Sequence, residues 1–485
     1  MPVLETPITY AHEKRHLATQ LPDIGKPRVV IIGGGFAGIQ IVKKLRMKDV
    51  QVVMLDRNNY HTFQPLLYQV ATAGLEPDSI AGPLRKIFDK EENFFFRMAN
   101  VDSISPDENM VNTDIGRISY DYLVIGTGTR TNYFGNKSIE ELAFPMKQVP
   151  QALNLRSHLL QNFERAVTSE DEEEIDRLTN FVIVGGGPTG VEVAGALGEL
   201  KVHVLPNDYP ELNFSHRMKI YLVEGLERLL PGMSEKAGKR AQEDLEKRFK
   251  IKIKLKSLVE DFDGYRVKLS NGEVINTETL IWAAGVSGIV LPGLDKAKTR
   301  KSRYLVDQFN RVVGYDNIFA VGDVASMATR EFPDGHPQVA PVAMQQGKQL
   351  GKNLSRLISG KKMKTFRYFD KGYLATIGRN RAVADLPGNI KFGGFIAWII
   401  WMFIHLFFLV SFRQKVVTLG NWIWNYFTYD RGTRLIIRPF DYRSTINRKR
   451  EAMNKEDIKV DGKGEGQING KEIQETSESK KLHNQ

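Results

Sequence analysis

The chain has 485 residues, enough for two or three domains with cores of their own. Its 68 Lys and Arg against 57 Asp and Glu leave a formal charge of +11, which points to an anionic partner surface, nucleic acid or acidic lipid. The absence of cysteine excludes disulfides, thiolate metal sites and thiol redox relays, and no metal site is expected.

Residues 1–26 carry no apolar h-region and no small-residue cleavage site, and are read as a loosely held arm of a domain that stays in the cytoplasm. RVVII (28–32) is a β-branched apolar run of the kind buried on both faces of a parallel sheet. It enters Gly33-Gly34-Gly35-Phe36-Ala37-Gly38 and then the helix-compatible IQIVKKLRMK. Strand, glycine turn and helix are the context that a dinucleotide fingerprint requires. Gly33 allows the tight turn, Gly35 lets the backbone approach a pyrophosphate, and Gly38 allows close helix–strand packing. The next strand, VQVVMLD, ends at Asp56, with Arg57 beside it, where a carboxylate accepts bonds from ribose hydroxyls.

ISYDYLVIGTG (118–128), carrying Thr127 and Gly128, resembles the strand and loop that close many flavoprotein FAD sites. FVIVG then enters a second turn, Gly185-Gly186-Gly187-Pro188-Thr189-Gly190, followed by the helical VEVAGALGEL. The strand after it, KIYLVEG, ends at Glu224, an acid that favours a free ribose 2′-hydroxyl and so NADH over NADPH; Arg228 nearby leaves NADPH open. TLIWAAGV (279–286), with Ala284 and Gly285, looks like the segment that returns the chain from an inserted nucleotide domain. NIFAVGDVA (317–325) resembles the late FAD motif, in which Asp323 would bond the ribityl or phosphate end. Two dinucleotide sites in one chain pair non-covalent FAD with NADH, a hydride passing from nicotinamide to flavin.

Residues 392–412 form an apolar run interrupted by one histidine, His405, and one serine; their length is about that of a bilayer crossing. Trp398, Trp401, Trp422 and Trp424 cluster there, as interfacial anchors do. Arg431, Arg434 and Arg438 follow and suit anionic headgroups, and Arg379 and Arg381 are read as headgroup contacts rather than catalysts. Beyond Tyr442 the tail is polar, with mixed charge, and is expected to be disordered.

The order of these motifs is similar to that of the two-dinucleotide flavoprotein reductases, the glutathione-reductase group. Within it, NYHTFQPLLYQVATAGLEPDSIAGPLR (59–85) resembles the type II NADH dehydrogenases, the non-pumping NADH:quinone oxidoreductases, over about residues 28–440. Where disulfide reductases carry a cysteine pair near the flavin, this chain has Phe63-Gln64-Pro65-Leu66-Leu67-Tyr68, and the missing cysteines exclude sulfide:quinone reductase. The resemblance places Gln64 and Pro65 at the FAD and Glu192 between nicotinamide and flavin, where it orients the nicotinamide or relays a proton. It places Lys371, in FDKGYLATIG, beside the flavin as a cation and proton source. It also puts Gln345 in the quinone pocket and against the FAD; the family's Ala-Gln-x-x-x-Gln reads Ala340-Pro341-Val342-Ala343-Met344-Gln345 here, so Pro341 replaces the first glutamine.

The expected fold is α/β: two Rossmann-like dinucleotide-binding domains plus a C-terminal α-helical membrane-anchoring region. The FAD domain is assigned to 27–140 and 290–385, the NADH domain to 145–285, the anchor to 386–440 and the tail to 441–485. Hydropathy alone suggests one transmembrane helix, whereas the resemblance implies a monotopic anchor on the cytoplasmic face of the cell inner membrane, which we favour. The expected activity is NADH oxidation through FAD with two-electron reduction of menaquinone or ubiquinone. No paired buried charges offer a transmembrane proton path, so no pumping is expected. Expected partners are NADH, the quinone and an anionic lipid surface, and the resemblance admits a homodimer. Two rivals remain: a soluble NAD(P)H-dependent reductase of a rubredoxin- or ferredoxin-type protein, and a nucleic-acid-binding flavoprotein scaffold resembling apoptosis-inducing factor. No aromatic-interleaved basic motif supports nucleic acid, which is not expected as a partner.

Overall fold

The computed structural model describes residues 19–442 and Ser444. The disorder expected of the tail lies outside the described residues, apart from its first few positions, and so does most of the N-terminal arm. The described end of that arm is pinned: Arg97 donates to the carbonyls of Thr19 and Gln20, and Gln51 donates to that of Pro22. Residues 19–439 belong to one compact body.

The first sheet grows from the apolar runs read above. Strands β1 (Arg28–Ile32), β2 (Gln51–Asp56), β3 (Phe94–Met98) and β4 (Tyr122–Ile125) pair in parallel, in the order β4-β1-β2-β3. The chain then leaves for a second parallel sheet before it returns. Strands β5 (Phe144–Pro145), β6 (Asn180–Val184), β7 (Lys219–Val223), β8 (Lys252–Lys254) and β9 (Thr279–Trp282) are ordered β5-β9-β6-β7-β8. Strand β10 (Ile318–Ala320) closes the first sheet by pairing with β4. Both sheets are dry inside: Val29, Val30 and Ile31 of β1 and Phe181, Val182 and Ile183 of β6 have no exposed surface. Each such side chain contributes about 1.5–3 kcal/mol by leaving water.

Three helices carry the sites. Helix α1 (Phe36–Leu45) follows β1, α2 (Pro188–Glu199) follows β6, and α3 (Ala340–Ile358) packs along α1. Gly33 turns the chain at φ +109°, and a Cβ on Gly38 would overlap the Gly33 carbonyl; only glycine permits both the turn and the approach of α1 to it.

The C-terminal region departs from an all-helical anchor. Strands β11 (Tyr373–Thr376), β12 (Ala382–Leu386) and β13 (Ile390–Gly394) form an antiparallel sheet, so the first residues of the apolar run are strand. Gly394, at φ +89°, ends it. Helices α4 (Phe395–Phe408) and α5 (Phe412–Thr428) follow. What looked like one span is cut at Ser411, whose side chain accepts from the Gln414 amide while Gln414 reaches back to the Ser411 amide. Among the described residues no helix is long and apolar enough to cross a membrane. The two helices instead expose apolar stripes, Ile396, Ile399, Phe403 and Phe407 on α4, and Phe412, Val416, Leu419, Ile423 and Phe427 on α5.

Candidate active site

The C-terminal edges of β1, β2, β4 and β10 open on a cavity of about 930 Å3. Its floor is the first glycine turn, where α1 starts without a side-chain cap and leaves its first amides unpaired. A Cβ added at Gly35 would meet nothing within 4 Å, so the space above that backbone is free for a ligand. Asp56 accepts from the amides of Gly34 and Asn58, both at 2.7 Å. Burial pushes its carboxyl up, and those two amides and Arg57 offset part of the rise. Thr127, Gly128 and Asp323 line the far wall, with Phe36, Ala37, Arg57, Gln64 and Pro65 around the mouth. Asp323 takes a bond from Thr129 at 3.3 Å and is pushed up by burial, against the pull of Lys147. The amide-bonded acid, the free helix end and the cavity's size fit FAD. Lys147 was missed by sequence reasoning, because nothing near it in the chain marks it; only the fold brings it to Asp323.

The second turn repeats the first. Gly187 also faces open space, and α2 starts there without a side-chain cap. Glu224 accepts from Gly186 at 2.5 Å and from Leu226 at 2.8 Å. Ala284 adjoins Gly185, since a Cβ there would sit 3.0 Å from the Ala284 nitrogen, and Gly285 turns the chain at φ +70°. A Cβ on Gly190 would overlap the Gly185 carbonyl. Arg228 donates to the carbonyls of Leu230, Pro231 and Met233, which engages its guanidinium within the protein. Pro188, Thr189 and Glu192 reach the large cavity, so the two nucleotide sites meet there.

Glu192 is buried on α2, and with Tyr68 it lies between the large cavity and a smaller one of about 120 Å3. Burial pushes its carboxyl up to about 8. The Thr376 amide and the Trp401 indole offset part of that, the indole from outside regular hydrogen-bond geometry. Burial therefore favours the neutral form of Glu192. His61 and His405 are pushed down to about 4 by burial and stay neutral. His61 is within 3.0 Å of the Gly34 carbonyl; His405 stacks on Trp401 with ring centres 4.1 Å apart.

Gln345 lines the cavity with its amide already engaged: Nε2 donates to the Phe369 carbonyl at 2.9 Å, and Oε1 accepts from the Phe369 amide at 3.0 Å. A quinone contact at Gln345 could use its second Nε2 hydrogen without breaking that pair. Gln346 is buried and accepts from the Gly322 amide at 2.7 Å, tying α3 to the loop of Asp323. Pro341 sits in the first turn of α3, where a missing N–H costs nothing, so helix geometry accounts for it. Lys371 lines the cavity with Nζ 5.3 Å from the centre of the Phe408 ring.

Of the arginines expected at headgroups, Arg379, Arg431 and Arg434 are engaged within the protein, whereas Arg438 is exposed. Arg379 donates to the carbonyls of Asn425 and Tyr426 and lies 3.5 Å over the Tyr429 ring. Arg431 donates to Thr72, and Arg434 pairs with Asp208 at 2.7 Å. Compact folding of 429–434 onto the body consumes their donors. Among the described residues no His, Cys, Asp and Glu group could hold a metal ion.

Residues 27–347 match the family model described as pyridine nucleotide-disulphide oxidoreductase, and residues 371–429 match the NDH2 C-terminal domain. The chain is 38% identical over 424 residues to the type II NADH:quinone oxidoreductase Ndh of Mycobacterium tuberculosis, covering 84% of this chain and 89% of the relative. The chain belongs to the type II NADH:quinone oxidoreductases. Among solved structures, NDH2 of Plasmodium falciparum in complex with NADH superposes with a TM-score of 0.77 at 20% identity, over 85% of this chain and all of that one. The sulfide:quinone oxidoreductase of Aquifex aeolicus superposes at 0.64 and 21% identity, over 83% and 95%. That likeness is one of fold, and this type II chain has no cysteine.

Proposed function

We propose that this protein oxidises NADH and reduces a membrane quinone by two electrons without pumping protons. The observation that carries it is the single cavity in which the two glycine turns, Glu192, Lys371 and the inner end of α4 meet. FAD, when bound, accepts hydride from the nicotinamide and passes the electron pair to the quinone. The free amides of α1 and α2 hold the two pyrophosphates. Asp56 and Glu224 orient the riboses, and Asp323 faces the ribityl or phosphate end. Glu192 carries its proton on a carboxyl oxygen between the sites, placed to bond the nicotinamide amide or to supply that proton. Lys371 brings a cation and a proton to the quinone side. Gln345 straps the 369–371 segment that carries Lys371 to α3. Phe63, Ile404, His405 and Phe408 make the quinone end of the cavity apolar.

The exposed stripes of α4 and α5 lay the protein on one leaflet as a monotopic anchor, with the nucleotide sites on the cytoplasmic face. We keep the division into an FAD domain (27–140, 290–385), an NADH domain (145–285) and an anchor (386–440), and a homodimer through the anchor is part of the same reading. Family membership favours quinone over a protein acceptor.

The test is NADH and NADPH oxidation by detergent-purified protein with ubiquinone and menaquinone analogues. Fast NADH oxidation by a quinone, with NADPH slower, is expected. Bound FAD that NADH reduces and no quinone reoxidises would overturn the acceptor.

A further inference from the structure

The apolar stripes account for docking but not for the basic groups at their edge. Lys43 lies in the last turn of α1. The turn between α4 and α5 packs through Val410 onto the core that α1 shares with β1 and β2, and Lys415 of α5 lies near enough for its charge to act on Lys43. Lys415 holds its Nζ 5.2 Å from the centre of the Phe407 ring, at the margin of the α4 stripe. Glu91 pairs with Arg46, Asp49 with Lys26 and Asp78 with Arg413. Among the described residues neither Lys43 nor Lys415 has an ion-pair partner. Partial desolvation, then the charges of Lys415 and Arg46, push the Lys43 ammonium down, although its side chain keeps an exposed surface. Met47, in the loop after α1, is 91% exposed among Lys43, Arg46 and Lys48. An exposed methionine flanked in sequence by cations suits the boundary between headgroups and acyl chains.

We propose that Lys43 of α1 and Lys415 of α5 form a headgroup site for anionic phospholipid, with Met47 dipping beside it. This rests on the membrane-docking reading above. It adds that the contact is charge-selective and that the FAD-binding helix itself, not the arginines after the anchor, supplies half of it. Two lysines near an anionic surface at about 1 kcal/mol each correspond to about thirtyfold in partitioning.

The experiment is co-sedimentation of full-length FAD-loaded protein with phosphatidylcholine vesicles and with vesicles of equal phosphatidylcholine and phosphatidylglycerol. Wild type is expected on both, about thirtyfold more strongly on the mixed vesicles. K43A/K415A should bind the two alike, with flavin absorbance and turnover of a short-chain quinone unchanged. A control, K236A/K239A, removes two exposed lysines elsewhere and should keep the preference. Equal binding of wild type to both vesicles, or a preference that survives K43A/K415A or vanishes with the control, would overturn the site while leaving docking intact. Failure of wild type on both vesicles would instead overturn the docking reading itself.

Discussion

Glu192 shows how one residue's environment sets its chemistry. A glutamate in water is ionised at pH 7, whereas burial favours the protonated form of this one. From about 4.5 to about 8 the folded protein holds a proton that the unfolded chain has lost, so Glu192 makes stability fall as pH rises across that window. E192Q should therefore gain thermal stability over wild type at pH 8 and little at pH 4.5, as calorimetry at the two values would read. If the substitution also abolishes the alkaline limb of quinone reduction while flavin reduction by NADH persists, the acid supplies a proton; an unchanged limb assigns it to nicotinamide orientation alone. Gln345 offers a second test at this scale. Losing its two backbone bonds, each worth about 0.5–1.5 kcal/mol, should loosen the Lys371 segment and raise the quinone KM about tenfold in Q345A with flavin reduction unchanged. A loss of a hundredfold or more would indicate direct quinone contact.

Among the elements, the pair α4–α5 depends on a cap. Ser411 and Gln414 satisfy each other's backbone and stop a run that would otherwise continue as one helix. S411A should cost about 1 kcal/mol, measured by denaturant unfolding, and should weaken vesicle binding by unseating α5. The stripe itself is tested by F403E: a charge at a 69% exposed apolar position leaves the fold intact but should abolish vesicle binding. Turnover of a short-chain quinone in solution should survive it.

At the scale of the molecule, the cavity is shared by the ends of β1, β2, β4 and β10 of the first sheet and by α2 from the second. FAD bound there joins segments far apart in sequence and stabilises the native state by mass action. With free FAD at about a hundred times its Kd the gain is about 2.7 kcal/mol, so removing the flavin should lower the melting temperature and titrating it back should restore it. No change on removal would mean that the cavity does not hold FAD.

Much of this was legible along the chain because it is local. A buried parallel strand, a glycine turn and a capless helix are contiguous, so RVVIIGGG and FVIVGGG announced both nucleotide turns, and Asp56 and Glu224 fell at the ends of the following strands. The sequence alone determined the two-fingerprint architecture and the absence of thiol chemistry. Tertiary structure alone decided what depends on neighbours distant in sequence: Lys147 beside Asp323, the neutral state of Glu192, the engaged donors of Arg228, Arg379 and Arg431, and Gln345 strapped to Phe369. Burial and hydrogen-bond partners belong to pairs of residues, and a pair exists only once the chain has closed on itself.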